Sequence, residues 1–304
     1  MHRILLATLF AALAAAAPAA TAHSAAGPTP AQTIAAADAL GVGAQARALQ
    51  DHFLPGARLV AAPGRSALGA TRLGGAPDLP RATTWPSCDH HPLTFVGQLS
   101  LSDLRTAVPG ATRGTGLLSI FMGTREAPDG APEAAGVFAV KGLARVGKAK
   151  CFAVRHTPPA ARLVRRASPR GSTPFAAAPQ QLRPVLTVPG WEISGDKFGV
   201  SFLGDDAAGD AWDQLQERAA AGTLGATPAG ARATRQLLGW SNPLDRDPAY
   251  SPCAGQPSRL LLQLDSTDRY DLDQSEGGSL MLVIGAADLR AGRFDRLCAE
   301  HQLD

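Results

Sequence analysis

The sequence is poor in lysine, tyrosine and methionine. Four lysines stand against 25 arginines, tyrosine occurs twice and methionine three times, and aromatic residues make up 5% of the 304 positions. So few aromatics leave little stacking surface for single-stranded nucleic acid, which argues against that partner. No apolar run beyond the first 17 residues is long enough to cross a bilayer, so no membrane span is expected in the body of the chain. The most legible catalytic patterns are missing too: there is no G-x-S-x-G, no H-E-x-x-H, no G-x-x-x-x-G-K-[ST] and no dinucleotide-binding glycine fingerprint. Nor is there a C-x-x-C, the usual mark of thiol redox chemistry or a zinc ribbon. Charge is nearly balanced at +3.

What is present begins with an address. Met1-His2-Arg3 supplies a cationic start, Ile4 to Ala17 is apolar, and Ala20-Thr21-Ala22 is an A-x-A cleavage pattern. Residues 1–22 are therefore expected to be a signal peptide, with secretion to an extracytoplasmic compartment. Four cysteines, Cys88, Cys151, Cys253 and Cys298, are an even number and fit two disulfides. Three pairings exist. The preferred one is local, Cys88–Cys151 with Cys253–Cys298; a bond between Cys88 and Cys253 would instead cross between two halves of the chain.

Those halves are visible as a repeat. At an offset of 165, Leu73-Gly74 recurs as Leu238-Gly239, Leu79 as Leu244, Arg81 as Arg246 and Cys88 as Cys253. Pro92 recurs as Pro257, Gln98-Leu99 as Gln263-Leu264, and Asp103 as Asp268. The expected architecture is a β-rich α+β fold with internally duplicated halves around a pseudo-twofold axis. Residues 23–56 read as an N-terminal helical brace, opened by Thr29-Pro30 with Gln32 placed for a capping box. Residues 57–304 read as the duplicated domain, with halves of about 57–180 and 181–304.

Short apolar runs mark strands at 58–62, 94–99, 117–122, 136–140, 151–155, 185–188, 199–203, 259–264 and 279–284. The runs holding Gln98 and Gln263 are almost wholly apolar, as in strands buried on both faces. One clear helix is expected over 206–221, where Trp212, Leu215 and Ala219 share a face and Gly222 follows. Residues 162–181, rich in Pro, Arg and Ser, read as a linker or exposed loop.

Several constellations offer chemistry. Asp265, Asp268, Asp271, Asp273 and Glu276 crowd the exit of a strand, which suits calcium or acid–base work. Arg269 and Tyr270 stand where a calcium loop needs an oxygen ligand and a glycine, so that motif fails. Between Glu133 and Glu192 lie ten basic residues and no acid. Within this tract, Arg155, Arg162, Arg165 and Arg166 are the anion-binding candidates, unless the tract faces the acidic segment 196–217 of the same chain. Asp89-His90-His91, with His156, is a weak set of metal ligands, and no metal or cofactor is assigned. Gln98 and Gln263, buried in apolar strands, must find partners, and backbone at the seam between the halves is the expected one.

The same residues carry a family likeness. Arg72-Leu73-Gly74-Gly75-Ala76-Pro77-Asp78-Leu79-Pro80, Trp85-Pro86 and Phe95-Val96-Gly97-Gln98-Leu99 resemble the YwqG-like proteins. So do Leu237-Leu238-Gly239-Trp240, Leu260 to Ser266 and Gly277-Gly278-Ser279-Leu280. The resemblance implies a duplicated, β-rich α+β fold without an established activity, and by association a protein-binding role. Taken together, the expectation is a secreted binding or scaffold module without a cofactor, whose partner is an unknown protein or a cell-envelope ligand. Gln98, Gln263, Asp265, Asp268 and Trp240 are its candidate ligand-binding residues. The alternatives are a hydrolase using the carboxylates around Asp265, or a binder of anionic envelope polymer through tract 141–183.

Overall fold

The computed structural model describes residues 27–88, 90–126, 132–134, 144–145, 151–172, 174–202, 205–224, 235–243, 247, 252–265 and 278–303. Among the described residues eleven strands build the main sheet, ten of them labelled here and the last a two-residue piece. The ten are β1 (Leu54–Ala61), β2 (Arg72–Leu73), β3 (Thr94–Ser100), β4 (Leu117–Met122), β5 (Phe152–Thr157), β6 (Ala178–Thr187), β7 (Arg235–Leu238), β8 (Ser258–Asp265), β9 (Gly278–Gly285) and β10 (Cys298–Leu303). Among the described residues six helices accompany them: α1 (Pro30–Ala39), α2 (Gly43–Leu49), α3 (Leu101–Ala107), α4 (Trp191–Phe198), α5 (Asp206–Ala221) and α6 (Ala286–Ala291). The result is a β-rich α+β fold.

Every pairing in the sheet is antiparallel, in the order β5-β4-β3-β2-β6-β1-β7-β8-β9-β10, with the short piece Ala144–Arg145 added beyond β10. Read outward from the middle, the order runs β6-β2-β3-β4-β5 one way and β1-β7-β8-β9-β10 the other. The central pair is crossed: β1 lies beside β7 and β6 lies beside β2. The β3–β4 ladder slips between Phe95 and Gly97, and the β8–β9 ladder slips between Leu260 and Leu262. The skipped residues, Val96 and Leu261, are 165 positions apart.

β3 is buried along its whole length and β8 at every position except Arg259, as expected of strands covered on both faces. One face holds the largest core, where Ala57, Leu59, Leu99, Leu118, Ile120, Leu262 and Leu282 meet Leu101 and Leu104 of α3. Beyond the central strands a second core joins Ala37, Leu49, Trp212 and Leu215 with Val188 and Phe202, and so unites α1, α2 and α5. The Thr29–Gln32 capping box opens α1. Arg58 of β1 donates from Nη1 to the carbonyl of Ala221 at 2.9 Å, which ties the end of α5 to the sheet.

Two smaller clusters occupy matching places outside the hairpins. Phe95 and Phe121 pack with Leu79, Leu93, Cys88 and Cys151. Leu260 and Val283 pack with Cys253 and Cys298. The disulfides are Cys88–Cys151 and Cys253–Cys298, so each cluster contains its own bridge.

Two local expectations are corrected. Of the strand expected over 199–203, residue 203 lies outside the described residues and 199–202 form no strand: Gly199 takes φ +71° and caps α4 in the left-handed region that glycine enters without a steric penalty. Residues 162–181 are no linker, since Leu163–Arg165 pairs with Asp78–Pro80 and the stretch then runs into β6. Pro179 and Pro184 disguised that strand. β6 tolerates Pro184 because β2 reaches it only at Ala178 and Pro179, and Pro179 because it lies beyond Gln180, the last residue paired with β1.

Candidate functional site

The densest polar cluster surrounds Asp78, whose residue is fully buried. Arg72 and Gln98 are cross-strand neighbours on β2 and β3, and Arg165 stands opposite Asp78 in the short ribbon. Arg72 Nη1 donates to Asp78 Oδ2 at 2.7 Å, Arg165 Nε to Oδ1 at 3.0 Å, Gln98 Nε2 to Oδ2 at 2.9 Å, and the Gly69 amide to Oδ2 at 2.9 Å. Burial alone would raise the carboxyl's pKa. The hydrogen bonds from Arg72, Arg165, Gly69 and Gln98 outweigh it and hold the group well below the usual carboxylate range. Arg72 is itself buried, donates to the Ala76 carbonyl, and lies 5.7 Å above the Phe95 ring.

Gln98 completes the arrangement through backbone. Its Oε1 accepts from the Asp78 amide at 3.0 Å, and its Nε2 also donates to the Ala70 carbonyl at 2.8 Å. Gln263 does the same on the other side of the sheet. Its Oε1 accepts from the Asn242 amide at 2.9 Å, and its Nε2 donates to the Asn242 carbonyl and to Asp265 Oδ1. The two amides therefore bind backbone, as expected of buried amides, but not at the seam: four strands separate β3 from β8.

Asp265 also accepts from the Ser279 hydroxyl at 2.7 Å and is 9% exposed. Asp268, with Asp271, Asp273 and Glu276, lies outside the described residues. Trp240 is buried; its amide donates to Thr187 Oγ1 and its indole to the His52 carbonyl. The Arg259 guanidinium lies 5.9 Å from the Trp240 ring. A shallow dimple lies here, lined by Trp240, Ser241, Asp247, Ser258 and Arg259, with Ser241 donating to Asp247.

The four arginine candidates divide. Arg155 and Arg162 are exposed. Arg165 turns inward to Asp78 and to the carbonyls of Ser66 and Ala67. Arg166 donates to the Thr83 carbonyl and lies 5.9 Å above Trp85. Lys141, Lys148 and Lys150 lie outside the described residues, as does Asp89. His90 and His91 are exposed, whereas the His156 ring contacts the Thr115 carbonyl at 2.7 Å. Among the described residues, no three His, Cys, Asp or Glu side chains converge to hold a metal ion.

Two features were missed at the level of sequence: the Asp78 cluster and the carboxylate of Asp288. Asp288 is fully buried and accepts from Arg293 at 2.6 Å and Gln256 at 3.1 Å. A signal existed for the first, because Arg72 and Asp78 bracket the tight Leu-Gly-Gly turn in an otherwise apolar neighbourhood. For Asp288 two partners are local, Arg293 and Arg296 five and eight residues on, and only Gln256 comes from a separate segment.

Residues 71–302, most of the chain, match the family described as Domain of unknown function (DUF1963). The chain belongs to the DUF1963 family. The matched stretch begins one residue before Arg72 and takes in both glutamine strands, both disulfides and the Asp78 cluster. α1 and α2 precede it. No curated protein matches the chain. For a DUF1963 chain, two disulfides point to an oxidising extracytoplasmic environment. No helix among the described residues is long and apolar enough to cross a membrane.

Proposed function

We propose that this protein is a secreted binding or scaffold module and not a hydrolase. One observation carries the reading: Asp265, the carboxylate best placed in sequence for catalysis, is turned inward and held by Gln263 and Ser279. A general acid or base must come within hydrogen-bond reach of its substrate. Asp265 instead braces the end of β8, and Asp78 braces the turn after β2, so both acids serve the frame that presents the surface. The disulfides, one in each outer cluster, suit a protein working outside the reducing cytoplasm.

The module is best read as a duplication whose halves have exchanged their first strands. The strand order read outward from the middle, the ladder slips 165 positions apart and the like roles of Gln98 and Gln263 support this reading. The likeness to YwqG-like proteins agrees with it. On this view the N-terminal helices brace the seam, where α1, α2 and α5 share a core.

A broad hydrolase panel run on the wild type and on Asp265→Asn tests the functional reading. The module predicts no turnover that the substitution removes, together with a lower melting temperature for the variant. Turnover lost in Asp265→Asn at unchanged melting temperature would overturn it.

A further inference from the structure

We propose that Cys88–Cys151 is a site of thiol–disulfide exchange, opened by a dithiol with the help of His91 while Cys253–Cys298 stays closed. The two bridges occupy matching places, each beside its own apolar cluster, and they close loops of 63 and 45 residues. They differ in access. Cys253 and Cys298 are 0% and 3% exposed, and Cys298 is enclosed in the ladder between β9 and the piece Ala144–Arg145. Cys88 and Cys151 are both half-buried. Cys88 ends the two-residue strand Ser87–Cys88, and Cys151 is the turn residue directly before β5. An exchanging thiolate must reach a sulfur, and the first bridge is the one within reach.

Two further features mark it. His91 is the direct cross-strand partner of Cys88 in the small hairpin of Ser87–Cys88 and His91–Pro92, so an exposed imidazole stands beside one sulfur. Such a pair brings its Cβ atoms to about 5 Å. An imidazolium next to a thiolate stabilises it, and a stabilised thiolate leaves more readily. One histidine of the Asp89-His90-His91 run thereby gains a role. Cys151, for its part, holds φ +57°, in the left-handed region where a side chain is strained, and neither Cys253 nor Cys298 does. Backbone strain of this kind gathers at functional and switching sites. The chain has no C-x-x-C, so the exchange site is one that only the fold assembles.

The exchange balances. One thiolate of the dithiol attacks Cys151 Sγ, the bond between the two cysteines breaks, and Cys88 departs as a thiolate that takes up a proton beside His91. The reagent's second thiolate then attacks the reagent sulfur of the mixed disulfide and releases Cys151. Two electrons and two protons pass to the protein, and the dithiol leaves as a cyclic disulfide. Strand Ser87–Cys88 is then no longer cross-linked to the start of β5. Trp85 stands just before it, with its indole donating to the Leu93 carbonyl at 2.8 Å and its ring 5.4 Å from Phe121. Opening the bridge loosens this cover over Phe95 and Phe121. The inference goes beyond the binding-module reading and does not rest on it.

The test incubates the folded protein, both bridges closed, with dithiothreitol in native buffer. New thiols are blocked with iodoacetamide at intervals and located by peptide mass spectrometry. Cys88 and Cys151 are expected to be alkylated together, at least about tenfold faster than Cys253 and Cys298. Tryptophan emission should change in step with that first event, and dithiothreitol should leave it unchanged over the same interval in the double variant Cys88→Ser, Cys151→Ser. His91→Gln, at an unchanged melting temperature, should slow the opening of Cys88–Cys151 alone. Equal rates at the two bridges, earlier opening of Cys253–Cys298, or no opening overturns the proposal, and an unchanged rate in His91→Gln overturns the part assigned to His91. None of these outcomes bears on the Asp265 experiment, so the two readings fall separately.

Discussion

Gln98 and Gln263 stand in one sheet with four strands between them, yet each clamps the backbone that follows the short strand beside it, Asp78 in one case and Asn242 in the other. Each amide both accepts and donates, so each fixes the path of a turn that would otherwise bury unpaired peptide groups.

Replacing either glutamine by leucine removes those partners and leaves a buried amide N–H unsatisfied. Gln98→Leu and Gln263→Leu should each lower stability by about 2 kcal/mol. Chemical unfolding measures this, with the exposed Gln181→Leu as a neutral control. A large loss in one variant beside none in the other would break the equivalence of the two sites.

Asp78 predicts an acid limit. Its carboxyl titrates lower in the folded protein than the unfolded value of about 3.9. The stabilisation is therefore complete above that value and disappears as pH falls through the lower, folded value. Asp78→Asn should cost about 3 kcal/mol at neutral pH, because it leaves Arg72 buried without its charge partner. The gap between wild type and variant should narrow as urea unfolding is repeated at decreasing pH below about 4.

The bridges should act alike. Cys88–Cys151 closes 63 residues and Cys253–Cys298 closes 45, and loop entropy varies only slowly with length. Replacing either pair by serine should therefore destabilise by similar amounts, about 4 kcal/mol on the chain-entropy account. Thermal unfolding of the two double variants makes the comparison.

Gly239 has φ +74°, and a side chain there would run into Thr187, the residue that accepts from the Trp240 amide. Gly239→Ala should cost about 2 kcal/mol or more, from left-handed strain and that clash together. Intrinsic fluorescence should report the disturbed Trp240. An unchanged spectrum and midpoint would show that the turn yields freely.

Much of this frame was legible in the residues. Apolar runs around Gln98 and Gln263 announced doubly covered strands, and Thr29, Pro30 and Gln32 announced the start of α1. Local chemistry decides such features. α3 was not anticipated, although Ser100 and Asp103 form its cap, because seven residues directly after a buried strand leave no room for a visible helical period. β6 was obscured by its prolines, which are tolerated because Pro184 lies beyond the reach of β2 and Pro179 past the end of the β1 ladder. The Asp78 site was half legible, since Arg72 and Asp78 flank one turn. Its second arginine arrives 87 positions later through a three-residue ribbon, and no local pattern encodes so distant an encounter.

The crossed centre also governs how the protein comes into being. Gly56 faces Val185 on one side and Leu238 on the other, so the earliest strand waits for its first neighbour until well past the middle of the chain and for its second until more than three-quarters is made. Ordering the middle of the sheet must await those late segments, and such distant encounters are slow. A polypeptide emerging end-first from a ribosome or a translocation pore is thus kept from premature closure by its own wiring.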